Sequence, residues 1–462
     1  MKVQIELVVA QSRPLSRKYS GFFSRLNPDT SGHFREYSRK WILLAGMVGV
    51  VTGLITVILD VVVRVLLLGN DSGGGGFTGY VTSAYNSSPA AAFLLPFVGI
   101  VAAGLVLRRS ATPRNLTGTD ELLEQYHTDG EGVHTKRGIT EFLAAILTIG
   151  FGGSAGLEGP SIGAGGVVGS WVWRHLSRRL KLTHDDLRIL LLTGASAGIA
   201  AIFKAPLTGI IFALEVPYKD DLARRAFLPS IISGVASYVT FASFEGSTPL
   251  FSFVTTQAGF TLEDLVLAVV LGVLVGVLAV AFTTTYRQVQ RMLQSFRPPF
   301  MTRYLIGGLA VGGIALLVRE VYASPYTFGP GYYLIQGGLS GSFTIQFLAA
   351  MLVLRMLATA FTLGAGGVGG IFFPLVVFGS LTGSLFALLV HSDVAVFASV
   401  GIAAFMSAGY KTPLAAVTFI GDTTGSVSFL VPAMVGSAIA YLVSGENSVS
   451  TEQRRWSVPP PT

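Results

Sequence analysis

Few side chains in this sequence are placed to do chemistry, and the most unusual placement is that of Glu158. It lies in Gly150-Phe-Gly-Gly-Ser-Ala-Gly-Leu-Glu-Gly-Pro160, a lone carboxylate in a glycine-rich stretch ending in proline. The second half carries a matching stretch, Gly364-Ala-Gly-Gly-Val-Gly-Gly-Ile-Phe-Phe-Pro374. In ungapped register Gly150, Gly152, Gly153, Gly156 and Pro160 fall on Gly364, Gly366, Gly367, Gly370 and Pro374. The match runs on through Gly165, Gly169 and Ser170 against Gly379, Gly383 and Ser384, and Glu158 falls on Phe372. A second pair follows: Lys204-Ala-Pro-Leu-Thr-Gly-Ile-Ile-Phe-Ala-Leu-Glu215 and Lys411-Thr-Pro-Leu-Ala-Ala-Val-Thr-Phe-Ile-Gly-Asp422.

A helix beginning at Pro160 or Phe372 leaves its first amides without intrahelical partners, and its dipole adds partial positive charge there. Proline suits such a start, because its missing N–H would have been unpaired anyway. Glycines at the break, such as Gly156, Gly159 and Gly370, let backbone close on a ligand with no Cβ between. The product is an anion site of neutral parts, able to release a halide that a full cation would hold. A third helix start at Gly118-Thr119 would help replace the hydration shell of an anion at mid-membrane. A charged carboxylate at the bilayer centre costs roughly 2.5–3.5 kcal/mol or more. Glu158 escapes that cost by taking the amides a halide would use, and protonation would release it. The pattern therefore predicts a gate that answers to pH and anion concentration. A plain capping carboxylate would need neither the glycine run nor the matching break in the other copy.

The elements around these motifs must be membrane helices. The 462 residues are 51% hydrophobic and only 12% charged, with mean hydropathy +0.62. A soluble domain cannot bury so much apolar surface behind so few charges. Stretches such as 41–59, 87–107 and 265–286 approach or reach the ~20 residues that span hydrocarbon. Duplicated halves with interrupted helices at matching places are the sequence sign of a transporter-type site between repeats.

The chain divides into a basic N-terminal segment 1–40, a first membrane repeat 41–243, a connecting loop 244–260, a second repeat 261–445 and a short tail 446–462. Helices are expected over 41–68, 88–109, 137–150, onward from Pro160, 184–215, 226–243 and 262–294. Others follow near 301–318, 344–363, 371–390, 395–408, 411–421 and 426–443, several of them too short for full spans. Gly69–Gly76 reads as a flexible loop. Asn115-Leu-Thr-Gly-Thr-Asp120 reads as a helix start, capped by Thr119 or Asp120. The excess basic residues of the N-terminal segment place it in the cytoplasm by the positive-inside rule. The net charge of +7 is thus a membrane-topology signal and no argument for nucleic acid. No cysteine is present, which removes disulfides and thiolate metal sites, and no motif asks for a metal or cofactor.

Gly156-Leu-Glu-Gly-Pro160, Gly369-Gly-Ile-Phe-Phe-Pro374 and Gly118-Thr119 resemble three signature motifs of the CLC chloride channels and chloride/proton exchangers. The usual forms are G-x-E-G-P, G-x-F-x-P and G-S-G-x-P, at similar spacing. The resemblance covers the chain from about residue 41 to 445, and the first two motifs with the two Lys-x-Pro-Leu copies make it specific. It implies an all-α inverted repeat of about 18 full and partial helices, a homodimer with one anion pathway per subunit, and cytoplasmic termini. It further implies that Glu158 is the external gating glutamate, and that the amides of Ile371 and Phe372 and the Thr119 hydroxyl hold the central anion.

Departures from the family pattern carry information. Thr119 replaces the usual serine and keeps a hydroxyl. The Gly-x-Pro that should follow is Asp120-Glu121-Leu122, two carboxyls that would repel anions unless they cap the helix and point away. The inner glutamate of exchangers directly follows the position of Glu215, where this chain has Val216. The family's pore tyrosine should fall near Ser450, and Tyr441 comes too early to supply it. Losing the tyrosine widens an inner gate and losing the inner glutamate removes a proton relay. Both lean toward a passive chloride channel, with chloride/proton exchange as the alternative. Thr119 and Pro160 argue against the fluoride-exporting branch.

Other residues have plainer roles. Asp422 is expected to cap or pair, whereas Glu215 divides evenly between a structural role and lining a proton or water path. Lys204 and Lys411 are expected to snorkel to the interface, Asp60 and Arg64 to neutralise each other one turn apart, and the Phe372 ring to pack. Gly152-Gly-Ser-Ala-Gly156 and Gly194-Ala-Ser-Ala-Gly198 also fit the serine-nucleophile pattern G-x-S-x-G. A hydrolase needs a histidine base beside the serine. Of the six histidines, His33, His127, His134, His175 and His184 lie in polar surroundings and His391 at a span end.

Overall fold

The computed structural model describes residues 28–69, 79–108, 118–128, 130–251, 260–296 and 299–456. Most of the basic N-terminal segment, the loop at 70–78, the Asn115–Thr117 approach to the third motif and much of the connecting loop lie outside the described residues. The described chain is helical throughout, with seven helices long and apolar enough to cross a membrane. In chain order they are α1 (Pro28–Leu67), α2 (Tyr80–Ser87), α3 (Pro89–Leu107), α4 (Gly118–His127), α5 (Thr135–Gly150), α6 (Glu158–Leu180), α7 (His184–Ile202), α8 (Pro206–Glu215) and α9 (Phe227–Glu245). The second half supplies α10 (Leu262–Ser295), α11 (Pro299–Tyr322), α12 (Tyr332–Leu339), α13 (Ile345–Gly364), α14 (Phe372–Val390), α15 (Val394–Tyr410), α16 (Pro413–Thr424) and α17 (Leu430–Val443).

Local chemistry sets the ends. Capping boxes Thr183/Asp186 and Thr261/Asp264 open α7 and α10, and Ser88, Thr344 and Asp393 side chains cap α3, α13 and α15. Each such cap satisfies an amide that hydrocarbon could not. The stretch 184–215 reads as one apolar run but folds as two helices. Lys204 adopts a left-handed conformation (φ 51°) ahead of Pro206, and Lys411 (φ 58°) does the same ahead of Pro413.

The two halves are the same design twice. In both copies one helix ends at the first motif glycine (α5 at Gly150, α13 at Gly364) and the next begins eight positions on, at Glu158 and Phe372. Within each repeat the next two helices cross at glycine: a Cβ on Gly165 would overlap the Gly194 backbone, and one on Gly379 the Gly401 backbone. Bonds between repeats are reciprocal. Thr148 Oγ1 accepts the Val368 amide (3.2 Å), and its counterpart Thr362 accepts the Ser154 amide (3.1 Å). Glu215 accepts the Leu414 and Ala415 amides at 3.0 and 2.7 Å, capping α16, and Asp422 accepts the Thr208 amide at 2.9 Å, capping α8.

Two faces follow from the ion pairs. Lys40 pairs with Asp186 on α7, Arg225 with Asp185, and Arg455 of the tail with Asp220, which puts the start of α1 and the tail at one face. At the far end of α1, Arg64 pairs with Asp60 (3.5 Å) and Glu245 (2.6 Å), and Lys204 Nζ donates to the Glu245 carbonyl.

Candidate functional site

The two glycine motifs meet at the centre of the molecule. Gly156 and Gly370 exchange backbone hydrogen bonds, N to O at 2.9 and 2.7 Å, a single antiparallel bridge between the repeats. Beside it the Glu158 carboxylate is fully buried. Its Oε1 accepts the Phe373 amide at 3.1 Å, with the Phe372 amide and its own also directed at the carboxylate. These are free amides at the starts of α14 and α6. Oε2 has no hydrogen-bond partner among the described residues. A Cβ on Gly156 or on Gly370 would overlap this carboxylate, so any larger residue at either place would have to displace Glu158. Gly159 is equally constrained, against the Gly370 and Gly369 backbone.

The third helix start arrives from the tail face. Gly118 (φ 55°) lies against the Gly159 backbone, and Glu141 Oε2 accepts its amide at 3.3 Å. Arg137 bridges Glu141 (3.0 Å) and Glu121 (2.6 Å), anchoring the first turn of α4. Of the two carboxyls that depart from the family pattern, Glu121 therefore turns away into this ion-pair cluster. Asp120 does not: it lines a cavity of about 60 Å³ with Thr119, Gly370, Ile371 and Ser450. That is room for a few waters or a dehydrated halide.

Two tyrosines also line this cavity, Tyr286 from α10 and Tyr410 from the end of α15. The Tyr410 and Thr119 hydroxyls lie near each other in its wall. Sequence reasoning sought a pore tyrosine near Ser450 and passed over Tyr410. The available signal was its position directly before Lys411, where the first copy has Phe203. Phe203 in turn stacks on Phe372 (ring centroids 5.0 Å), and Phe212 and Phe419 close round the same ring. Ser450 itself donates to Asp120 Oδ1 at 2.5 Å.

The remaining candidates lie apart from the cavity. Val216 is buried, with its carbonyl accepting Gln453 Nε2 at 2.9 Å; Gln453 also donates to the Tyr410 carbonyl. Glu215 is occupied with the start of α16. Lys411 Nζ donates to the Tyr441 carbonyl and the Ser444 hydroxyl. Of the G-x-S-x-G serines, Ser154 pairs with Thr359 at 2.8 Å and Ser196 donates to the Ser230 carbonyl, so neither meets a histidine. From the opposite face a second cavity of about 60 Å³, lined by Asp60, Arg64 and Tyr332, reaches Leu157, the residue before Glu158.

Known proteins share this sequence pattern and this fold. The chain is 28% identical over 402 residues to an uncharacterized protein of Methanocaldococcus jannaschii, covering 87% of this chain and 92% of that one. It is 27% identical to a putative chloride channel protein ClcB-like of Ralstonia nicotianae, over 87% and 93% of the two chains. It is 26% identical to the H(+)/Cl(-) exchange transporter ClcA of Salmonella arizonae, over 67% of each. The fold matches a CLC-type fluoride/proton antiporter (TM-score 0.77, 20% identity, 90% and 98% coverage) and a slow cyanobacterial Cl-/H+ antiporter (0.73, 23%, 87% and 94%). Residues 97–445 match the family described as voltage gated chloride channel, and the chain belongs to that family, a multi-pass membrane protein built for CLC-type anion transport.

Proposed function

We propose that the protein moves chloride past Glu158 in exchange for protons, with Glu158 as both gate and proton carrier. The observation that carries this is the Glu158 carboxylate itself, with Oε1 on the amides of α14 and Oε2 unpartnered and open to a proton. An anion and a deprotonated Glu158 compete for the same amides, and protonation removes the competitor. Chloride in the cavity would be held by the Thr119 hydroxyl, the Ile371 and Phe372 amides and the Tyr410 phenol. Gly156, Gly159 and Gly370 keep that space open. The name of the Salmonella relative and the titles of the two antiporter structures favour exchange, whereas the name of the Ralstonia relative favours the passive reading. Val216 favours the second reading, a passive channel, because it puts a hydrocarbon where exchangers carry an acid.

In this proposal the Lys40 and tail face is cytoplasmic, as the basic N-terminal segment requires, and the halves divide at 41–243 and 261–445. Two subunits meet through α8 and α16, whose equivalent residues Leu207 and Leu414 are half exposed, as is Met434 of α17. The test is purified protein in liposomes under an outward chloride gradient, with chloride efflux and external pH recorded together. Exchange predicts uphill proton entry coupled to chloride efflux; chloride efflux without it, at clamped potential, makes the protein a channel. Under either reading Glu158→Gln raises chloride flux and removes its pH dependence, and unchanged flux with an unchanged pH response would remove Glu158 from the gate.

A further inference from the structure

Asp120, in the first turn of α4, is a carboxylate held by the tail but by no cation. Its neighbour Glu121 is paired with Arg137 at 2.6 Å, but no lysine or arginine lies within ion-pair distance of Asp120 among the described residues. Its hydrogen bond comes from the neutral Ser450 hydroxyl. The groups facing it are Ser450 and Glu452 from the tail, Tyr286 from α10 and Tyr410 from α15. The one cation nearby on α10, Arg287, donates to the Ser448 carbonyl at 2.6 Å. A half-buried acid without a countercharge costs more as an anion than as a neutral acid. It also opens onto the cavity that ends at Gly370, where the Glu158 carboxylate lies. Between them stand the Thr119 and Tyr410 hydroxyls and space for water.

We propose that Asp120 is the tail-side proton donor and acceptor for Glu158, so that protons enter through the anion cavity itself. The assignment rests on the exchange reading above. Protonated Asp120 passes its proton through cavity water or the Thr119 and Tyr410 hydroxyls to Glu158. The Asp120 O–H bond breaks as a Glu158 O–H bond forms, and the summed charge of the pair is unchanged. Glu158 then leaves the α14 amides to an anion, and Asp120 takes a new proton from water at the tail face. Val216, buried behind Gln453, has no part in this path.

The test uses the full chain in proteoliposomes, with chloride and proton fluxes recorded together for wild type, Asp120→Asn and Asp120→Glu. Asparagine keeps the size and the Ser450 hydrogen bond but cannot carry the proton. We expect Asp120→Asn to lower the ratio of uphill proton movement to whatever chloride flux remains by tenfold or more, and Asp120→Glu to restore that ratio. Coupling that survives in Asp120→Asn overturns the assignment and leaves the exchange reading intact. A wild type without uphill proton movement overturns both. Loss of chloride flux in both variants makes Asp120 a structural residue and also overturns the assignment.

Discussion

Glu158 was legible in the sequence because charge is scarce here: one acid among glycines, with phenylalanine at the equivalent position, cannot be accidental filler. What the sequence did not reveal is which amides it would take. The carboxylate reaches one residue past Phe372, to Phe373, because α14 begins at Phe372 and its first-turn amides point back along the helix axis. Tyr410 was faint, since it closes an apolar helix and only its place before Lys411, matching Phe203 before Lys204, sets it apart. The glycines set a sharp requirement. Gly370→Ala would place a methyl group inside the Glu158 carboxylate. The expected outcome is a folded protein whose Glu158 is expelled from its amides and whose chloride flux no longer falls as pH rises, measured in liposomes across pH 5 to 8.

At the scale of helices, the repeat and most spans could be read from apolar runs, whereas the eight-residue α2 and α12 could not, being too short to show a period. The pair Glu215 and Asp422 belongs here. Each caps a half-helix of the opposite repeat, and the amides of Leu414 and Ala415 donate to the two oxygens of Glu215. Asp422→Ala should therefore cost about 1–2 kcal/mol, seen as a lower unfolding temperature in detergent, and Asp422→Asn should recover most of it by keeping one acceptor. The tail is held by a different acid. Asp220, outside the membrane-spanning segments, accepts Tyr441 and Arg455, and these bonds, the tyrosine first, hold its carboxyl below the usual aspartate range. A depressed value means stability that is complete above the ordinary pKa of about 3.9 and fades as pH falls through the lower folded value. Hydrogen exchange of the tail amides, corrected for intrinsic rate, should be constant from pH 7 to 5 and accelerate only below about pH 4.

For the whole molecule, membrane residence follows from composition alone, while the close fit of the repeats follows from glycine placement. Gly165 and Gly194 in one half, and Gly379 and Gly401 in the other, bring backbones into direct contact, a packing that supplies helix association where lipid offers no hydrophobic gain. Gly165→Leu should separate α6 from α7 and abolish a monodisperse peak in size-exclusion chromatography, and the equivalent Gly379→Leu should do the same to α14 and α15. These sites were visible as matched glycines. That they mark backbone crossings was not, because glycine in a membrane helix serves crossings and breaks alike.

The reciprocal caps also set a timetable for synthesis. Glu215 and the amide of Ala415 that it receives are 200 residues apart, so a ribosome adding roughly 5–20 residues per second leaves the acid waiting on the order of ten to forty seconds. During that interval the start of α8 lacks the Asp422 that closes it, and its bare amides are costly in hydrocarbon. The first half of the chain is thus born unfinished, and must be sheltered by water or by the insertion machinery until its twin emerges.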